Sequence, residues 1–111
     1  MQNIDDDMLA RAQQGEETAL AALAARLPMT LEMSELNGNE KYYYLDETLS
    51  AAAERPGTIE AGDIMLFGSD CLVLFYESFS TSYSYTRIGH VDDPSGLAEA
   101  LGGGSATVSW G

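Results

Sequence analysis

Two short runs, Ile64-Met-Leu-Phe67 and Cys71-Leu-Val-Leu-Phe-Tyr76, consist wholly of apolar and aromatic side chains. They are separated only by Gly68-Ser69-Asp70, a turn sequence. A strand half-exposed to water alternates apolar and polar residues, so an unbroken apolar run needs cover on both faces. The pair therefore predicts an antiparallel hairpin at the centre of a sheet, entered through the Ala61-Gly62-Asp63 turn. The rest of the chain must supply the two covering layers.

Other segments read as the outer parts of that sheet. Met29, Leu31 and Met33 alternate with Thr30, Glu32 and Ser34, the pattern of a half-buried strand. Asn37-Gly38 supplies residues that tolerate positive φ, and Lys41-Tyr-Tyr-Tyr-Leu45 follows with high β-propensity. Thr48 to Pro56 is a polar, alanine-rich connection with room for one helical turn, and Pro56-Gly57 marks a further turn. Ser82 to Ile88 alternates tyrosines with small polar residues, as a surface-facing strand or hairpin does, and Gly89-His90-Val91 continues it. Ala106 to Trp110 alternates again as the last strand.

Helices are expected at two places. Asp5 to Leu27 starts with three acids, favourable at a helix N-terminus, and places Leu20, Leu23 and Leu27 on one stripe. Gly15 is a candidate break within it, and Pro28 ends it. The second helix spans Ser95 to Leu101, with Asp93 as N-cap, Pro94 in the first turn, and Gly102-Gly-Gly104 as its stop. The organisation read here is a helical segment over residues 1–27 and a β domain over 28–111. With about six closely spaced strands and few helical crossovers, the fold class is mainly β, an antiparallel sheet curling into a barrel.

Charge narrows the partners. Eighteen acids against five bases give a formal net charge of −13 over 111 residues. Such a surface repels phosphate backbones and anionic bilayers, so neither nucleic acid nor membrane is an expected partner. The acidic start is opposite to a secretory leader, and no run approaches the roughly 20 apolar residues of a span. The expected location is cytoplasmic. A single cysteine, Cys71, allows no internal disulfide, and its apolar setting predicts an inert thiol.

Taken together and in order, Glu40-Lys-Tyr-Tyr-Tyr-Leu45, Gly62-Asp-Ile-Met-Leu66, Leu72-Val-Leu-Phe-Tyr76 and Arg87-Ile-Gly-His-Val91 resemble the bacterial and archaeal cyclophilin-like family of small barrel proteins. The resemblance runs from roughly Leu27 to Trp110. It implies a closed, mainly antiparallel barrel of eight strands, with short helices over its ends. It implies no set activity, since the family is known mainly by its fold. True prolyl isomerases carry an arginine in a Phe-His-Arg strand beside an aromatic proline pocket. The matching segment here, Asn39 to Tyr44, has a lysine and neither arginine nor histidine. The family also leads with two strands where this chain has its acidic segment. The N-terminal helix, or a second copy forming a homodimer, is expected to cover that gap.

The function expected from these readings is binding of a small molecule or peptide in an aromatic groove, with no catalytic residue assigned. Tyr44, Phe75, Tyr83, Tyr85 and Arg87 are the candidate ligand-binding residues. Aromatic rings offer large contact area with polar handles, and an arginine fork suits a carboxylate. The simpler roles are packing for the rings and pairing with the chain's own acids for Arg87. The alternatives carried are a weak prolyl isomerase and an interaction subunit that uses an open sheet edge. His90 is a lone histidine beside Asp92 and Asp93, and Asp63 is a turn acid. Asp92, Asp93 and Ser95 have the spacing of a helix cap, not of a calcium loop, and Gly102-Gly-Gly104 lacks the residues of a phosphate cradle. No metal or cofactor is expected.

Overall fold

The computed structural model describes residues 2–4, 23–49 and 51–110. Nine strands and one helix are found there: β1 (Gln2–Ile4), β2 (Met29–Leu36), β3 (Glu40–Tyr44), β4 (Thr58–Ile59), β5 (Asp63–Phe67), β6 (Cys71–Phe75), β7 (Phe79–Ser80), β8 (Thr86–His90), α1 (Leu97–Leu101) and β9 (Ala106–Trp110). Seven strands form one sheet in the order β1-β9-β2-β3-β6-β5-β8, and β4 and β7 form a separate two-stranded ribbon. All pairings in the large sheet are antiparallel except β1 with β9.

The central hairpin is as expected. β5 and β6 pair around the 68–70 turn with Leu66 opposite Leu72 and Ile64 opposite Leu74. Their inward side chains join Met33, Ile88, Val108 and Trp110 in the main core. Their outward ones, Met65, Cys71, Val73 and Phe75, join Ile59 and Tyr85 in a second apolar layer. Both faces of the hairpin are thus buried except at Phe67, which is why neither run contains a polar residue.

β2 shows the predicted alternation: Leu31 and Met33 are buried, Thr30 and Glu32 exposed. It is also the joint of the sheet, pairing with β9 through Met29–Met33 and with β3 through Ser34–Leu36. Asn37 and Gly38 both take positive φ, 56° and 69°, in the turn to β3. That is the backbone for which Asn-Gly is suited.

Lys41 on β3 is the unusual core residue, with 0% of its side chain exposed. Its ammonium donates to Glu35 Oε1 and to the Gly102 carbonyl, each at 2.8 Å, and to the Gly104 carbonyl. Three acceptors match three N–H donors, so the buried charge has no unmet hydrogen bond. Tyr76 adds its hydroxyl to Glu35 Oε1 at 2.6 Å, and its ring centroid lies 5.2 Å from the ammonium. Burial pushes the Glu35 carboxyl up, but the hydrogen bonds from Lys41, Tyr76 and the Gly38 N–H outweigh it and hold the group below its ordinary value.

Several expectations need correction. The sheet does not close into a barrel: β1 and β8 are its two edges and do not pair. At the β8 edge, Glu54 exchanges two backbone hydrogen bonds with Tyr85, and Ala52 N–H donates to Thr86 Oγ1. An irregular segment thus occupies the start of the edge where a closing strand would lie. The described part of the 45–57 connection contains no helical turn. α1 begins at Leu97 rather than Ser95, because Gly96, with φ 75°, takes a left-handed conformation before it. Asp93 still accepts from the Ser95 N–H, at 3.0 Å, but this closes a turn ahead of the helix. Ser82 to Tyr85 is not strand; regular pairing starts at Thr86.

The N-terminal helix expected over residues 5–27 lies outside the described residues as far as residue 22. Positions 23–24 are helical, and Leu23 is fully buried in the main core. Gln2–Ile4, a strand not anticipated from the sequence, runs parallel to β9 with Ile4 opposite Trp110. Among the described residues no helix is long and apolar enough to cross a membrane.

Removing the Lys41 ammonium leaves Glu35 without its main partner in a mostly dry setting. Lys41→Met is expected to lose about 3 kcal/mol of unfolding free energy. Urea denaturation monitored by tryptophan fluorescence measures this, and a loss below about 1 kcal/mol would show that the network is not a structural tie.

Candidate functional site

The outward face of β3, β6 and β5 is covered over only part of its length. At one end the β4–β7 ribbon lies over it, with Ile59 fully buried and Phe79 packed on Phe75 at 5.6 Å between ring centroids. At the other end the layer opens into a groove of about 430 Å³. Strand register builds the groove as a lattice. Tyr42 lies opposite Val73 and Tyr44 opposite Cys71 across β3 and β6, and Cys71 lies opposite Phe67 across β6 and β5. All five line the groove, joined by Leu36 and Asn37 from the hairpin turn and by Tyr83 and Tyr85 from the segment before β8.

The rings meet edge to face. Tyr42 and Tyr44 stand 5.9 Å apart at 77°, and Phe67 and Tyr83 stand 6.1 Å apart at 82°. Tyr85 is wedged between Phe67 at 5.6 Å and Phe75 at 5.5 Å. Such arrangements fix ring planes, so the walls are preorganised. Leu36, Tyr43, Tyr44, Phe67 and Tyr83 are the exposed large apolar side chains among the described residues, and all but Tyr43 line this groove. Tyr44 and Tyr83 keep 63% and 64% of their surface in contact with water.

Glu40 is the charged residue of the groove. It is only 8% exposed. Burial first, and the negative charge of Glu35 second, push its pKa up to about 7. Cys71 lies on the same face, and burial, reinforced by Glu40 and Asp70, pushes its thiol up to about 11. A thiol in that range is a poor nucleophile at neutral pH.

The sequence-derived candidates divide. Tyr44, Tyr83 and Tyr85 line the groove together. Phe75 does not; it is fully buried beneath, holding Tyr85 from behind. Arg87 lies on β8 opposite Met65, beyond β5 from the groove, and makes no ion pair with a described residue. His90 Nδ1 lies 2.8 Å from Asp63 Oδ1, while Asp63 Oδ2 accepts from the Glu60 N–H at 2.9 Å. Asp63 is therefore a turn acid that also orients His90. This pair sits at the opposite end of β5 from Cys71, since Asp63 is opposite His90 and Phe67 is opposite Cys71.

Sequence reasoning missed Glu40, Phe67 and Asn37. Alternation puts Glu40, Tyr42 and Tyr44 on one face of β3, a signal available without coordinates. What it lacked was the knowledge that Lys41, not Glu40, enters the core.

The Cyclophilin-like family model matches residues 3–111. The chain belongs to the Cyclophilin-like family. No curated protein and no solved structure matches it. Within this Cyclophilin-like chain, β3 forms one wall of the groove. Its one cation, Lys41, is turned away into the core.

The raised Glu40 pKa makes a signed prediction. The group binds its proton more tightly folded than unfolded, so folding is penalised as pH rises from about 4.5 through about 7. The titratable groups facing it do not compete in that window: Glu35 on β2 lies below it, and Cys71 on β6 and Tyr76 just after it lie at about 11 and 12. Tyr85 is raised further from its already basic value, by burial and by Glu40. Glu40→Gln is expected to stabilise the protein by about 1–2 kcal/mol near pH 8, allowing for water in the groove, with the gain fading near pH 5. Denaturant midpoints of both proteins across pH measure this; a difference independent of pH would overturn it.

Proposed function

We propose that this protein is a binding module that takes a small molecule or a peptide side chain in the aromatic groove between β3, β6 and the Tyr83–Tyr85 segment. The observation that carries this reading is the concentration of exposed apolar rings. Four of the five exposed large apolar residues, Leu36, Tyr44, Phe67 and Tyr83, border one concavity. A scattered surface apolar residue needs no explanation, whereas a contiguous patch around a groove marks a contact site. Large, weakly polar walls with one buried acid fit the usual composition of ligand pockets.

Prolyl isomerisation is less well supported. It requires a donor directed at a twisted amide nitrogen, and the groove lining holds no arginine, lysine or histidine. A nucleophilic reaction through Cys71 is likewise disfavoured by its raised thiol pKa.

A fragment screen by thermal shift is expected to yield aromatic hits, because a ligand that binds only the folded state raises the midpoint. The double variant Tyr44→Ala/Tyr83→Ala removes two mostly exposed rings and should fold as the parent does. It is expected to weaken those hits by about tenfold or more. Hits that bind this variant with unchanged affinity would remove the groove from consideration. Isomerase activity in a protease-coupled proline-peptide assay, lost in the same variant, would replace the binding reading with a catalytic one.

A further inference from the structure

The geometry points to an organic cation, an ammonium group on an apolar stem, as the ligand of the aromatic groove. This inference rests on the binding function proposed for that groove and names the chemistry of its occupant.

Three observations converge. Glu40 is more than nine-tenths buried and lies on the groove wall, the one charged side chain of a lining otherwise made of aromatic and apolar residues and Asn37. A carboxylate set among apolar rings is poorly solvated, and a cation bound in the groove would supply an opposite charge and a charge-assisted hydrogen bond together. Burial and the neighbouring Glu35 charge disfavour its ionised form, which is the setting in which a bound cation gains most. Next, Tyr42, Tyr44 and Tyr83 border the same space, and ring faces attract cations through their quadrupole. Last, no lysine or arginine lines the groove. Among the described residues, Lys41 and Arg26 are already engaged, with Glu35 and with Asp46 and Glu47 respectively. With a net charge of −13, the chain draws cations toward this opening and repels anions.

A neutral aromatic ligand would use the rings but offer Glu40 no opposite charge, and an anion would meet it as a like charge. The ammonium group can come from a free amine or from a lysine side chain of a peptide; the shared chemistry is the cation and its apolar stem.

The test is an NMR titration of the full chain near pH 8 with three probes of one shape: benzylamine, benzyl alcohol and benzoate. A glycine-flanked lysine tripeptide is the fourth. Benzylammonium is expected to bind about tenfold more tightly than benzyl alcohol, with benzoate weakest. Glu40→Gln should erase that preference while keeping benzyl alcohol binding. Tyr83→Leu keeps bulk but removes a ring face, and should narrow the preference in an otherwise unchanged fold. Binding of the lysine tripeptide as tight as that of benzylamine would assign the cation to a peptide; binding of benzylamine alone would assign it to a free amine, and both support the inference. Equal binding of amine and alcohol, or a preference that survives in Glu40→Gln, would overturn it and leave the aromatic groove standing. Failure of every probe to shift the groove resonances would overturn both.

Discussion

The register of β3 depends on the burial of one ammonium group. Lys41 enters the core because Glu35 Oε1 and the carbonyls of Gly102 and Gly104 receive all three of its protons. Those partners come from β2 and from the loop between α1 and β9, so one side chain ties both halves of the sheet to the loop that joins them. Side chains alternate along a strand, and a slip of one residue would invert every assignment. With Lys41 inward, Glu40, Tyr42 and Tyr44 must face outward. The groove is acidic and aromatic, rather than basic, for that reason.

This arrangement divides one pair of neighbouring charges between two environments. Lys41 is fully partnered within the core, while Glu40, one residue earlier and 8% exposed, lies on the groove wall. An acid set among apolar rings is costly to core packing, and such positions concentrate where a protein meets its ligand. The pKa values follow the same geography. Glu35 is held down by its three donors, and Glu40 is pushed up to about 7 by burial and by Glu35. Two glutamates near one lysine thus differ in charge at neutral pH because only one is reached by it.

The outer apolar layer explains how a groove and a core share one sheet face. Ile59 and Phe79, carried by the β4–β7 ribbon, complete the cover at the Phe75 end. The ribbon has only two residues in each strand and stops short of Cys71 and Phe67. Tyr85 marks the boundary, in ring contact with Phe75 on one side and Phe67 on the other. A buried support on one flank and an open wall on the other give the groove stiff sides at little conformational expense.

Local pattern in the chain was enough to determine the central strands of the large sheet, though not β1 or the β4–β7 ribbon. The unbroken runs at Ile64–Phe67 and Cys71–Tyr76 demanded two-sided burial, Met29–Ser34 demanded one-sided burial, and Asn37-Gly38 demanded a positive-φ turn. These are short-range consequences of side-chain period and backbone sterics, as was the glycine stop at Gly102. Part of the site was legible in the same way: Tyr44, Tyr83 and Tyr85 do border one space. Tertiary structure alone decided the rest. Whether Phe75 or Phe67 faced the opening depended on where the ribbon lay, and Arg87 was carried out of reach by its place beyond β5. Glu54, distant in sequence, met the chain at Tyr85 just before β8, and the sheet stayed open. The decisive choice, lysine inward and glutamate outward on β3, rested on acceptors sixty-odd residues away in the 102–104 loop. Periodicity can say that neighbours face opposite ways, but only the partners waiting on each side decide which of them goes in.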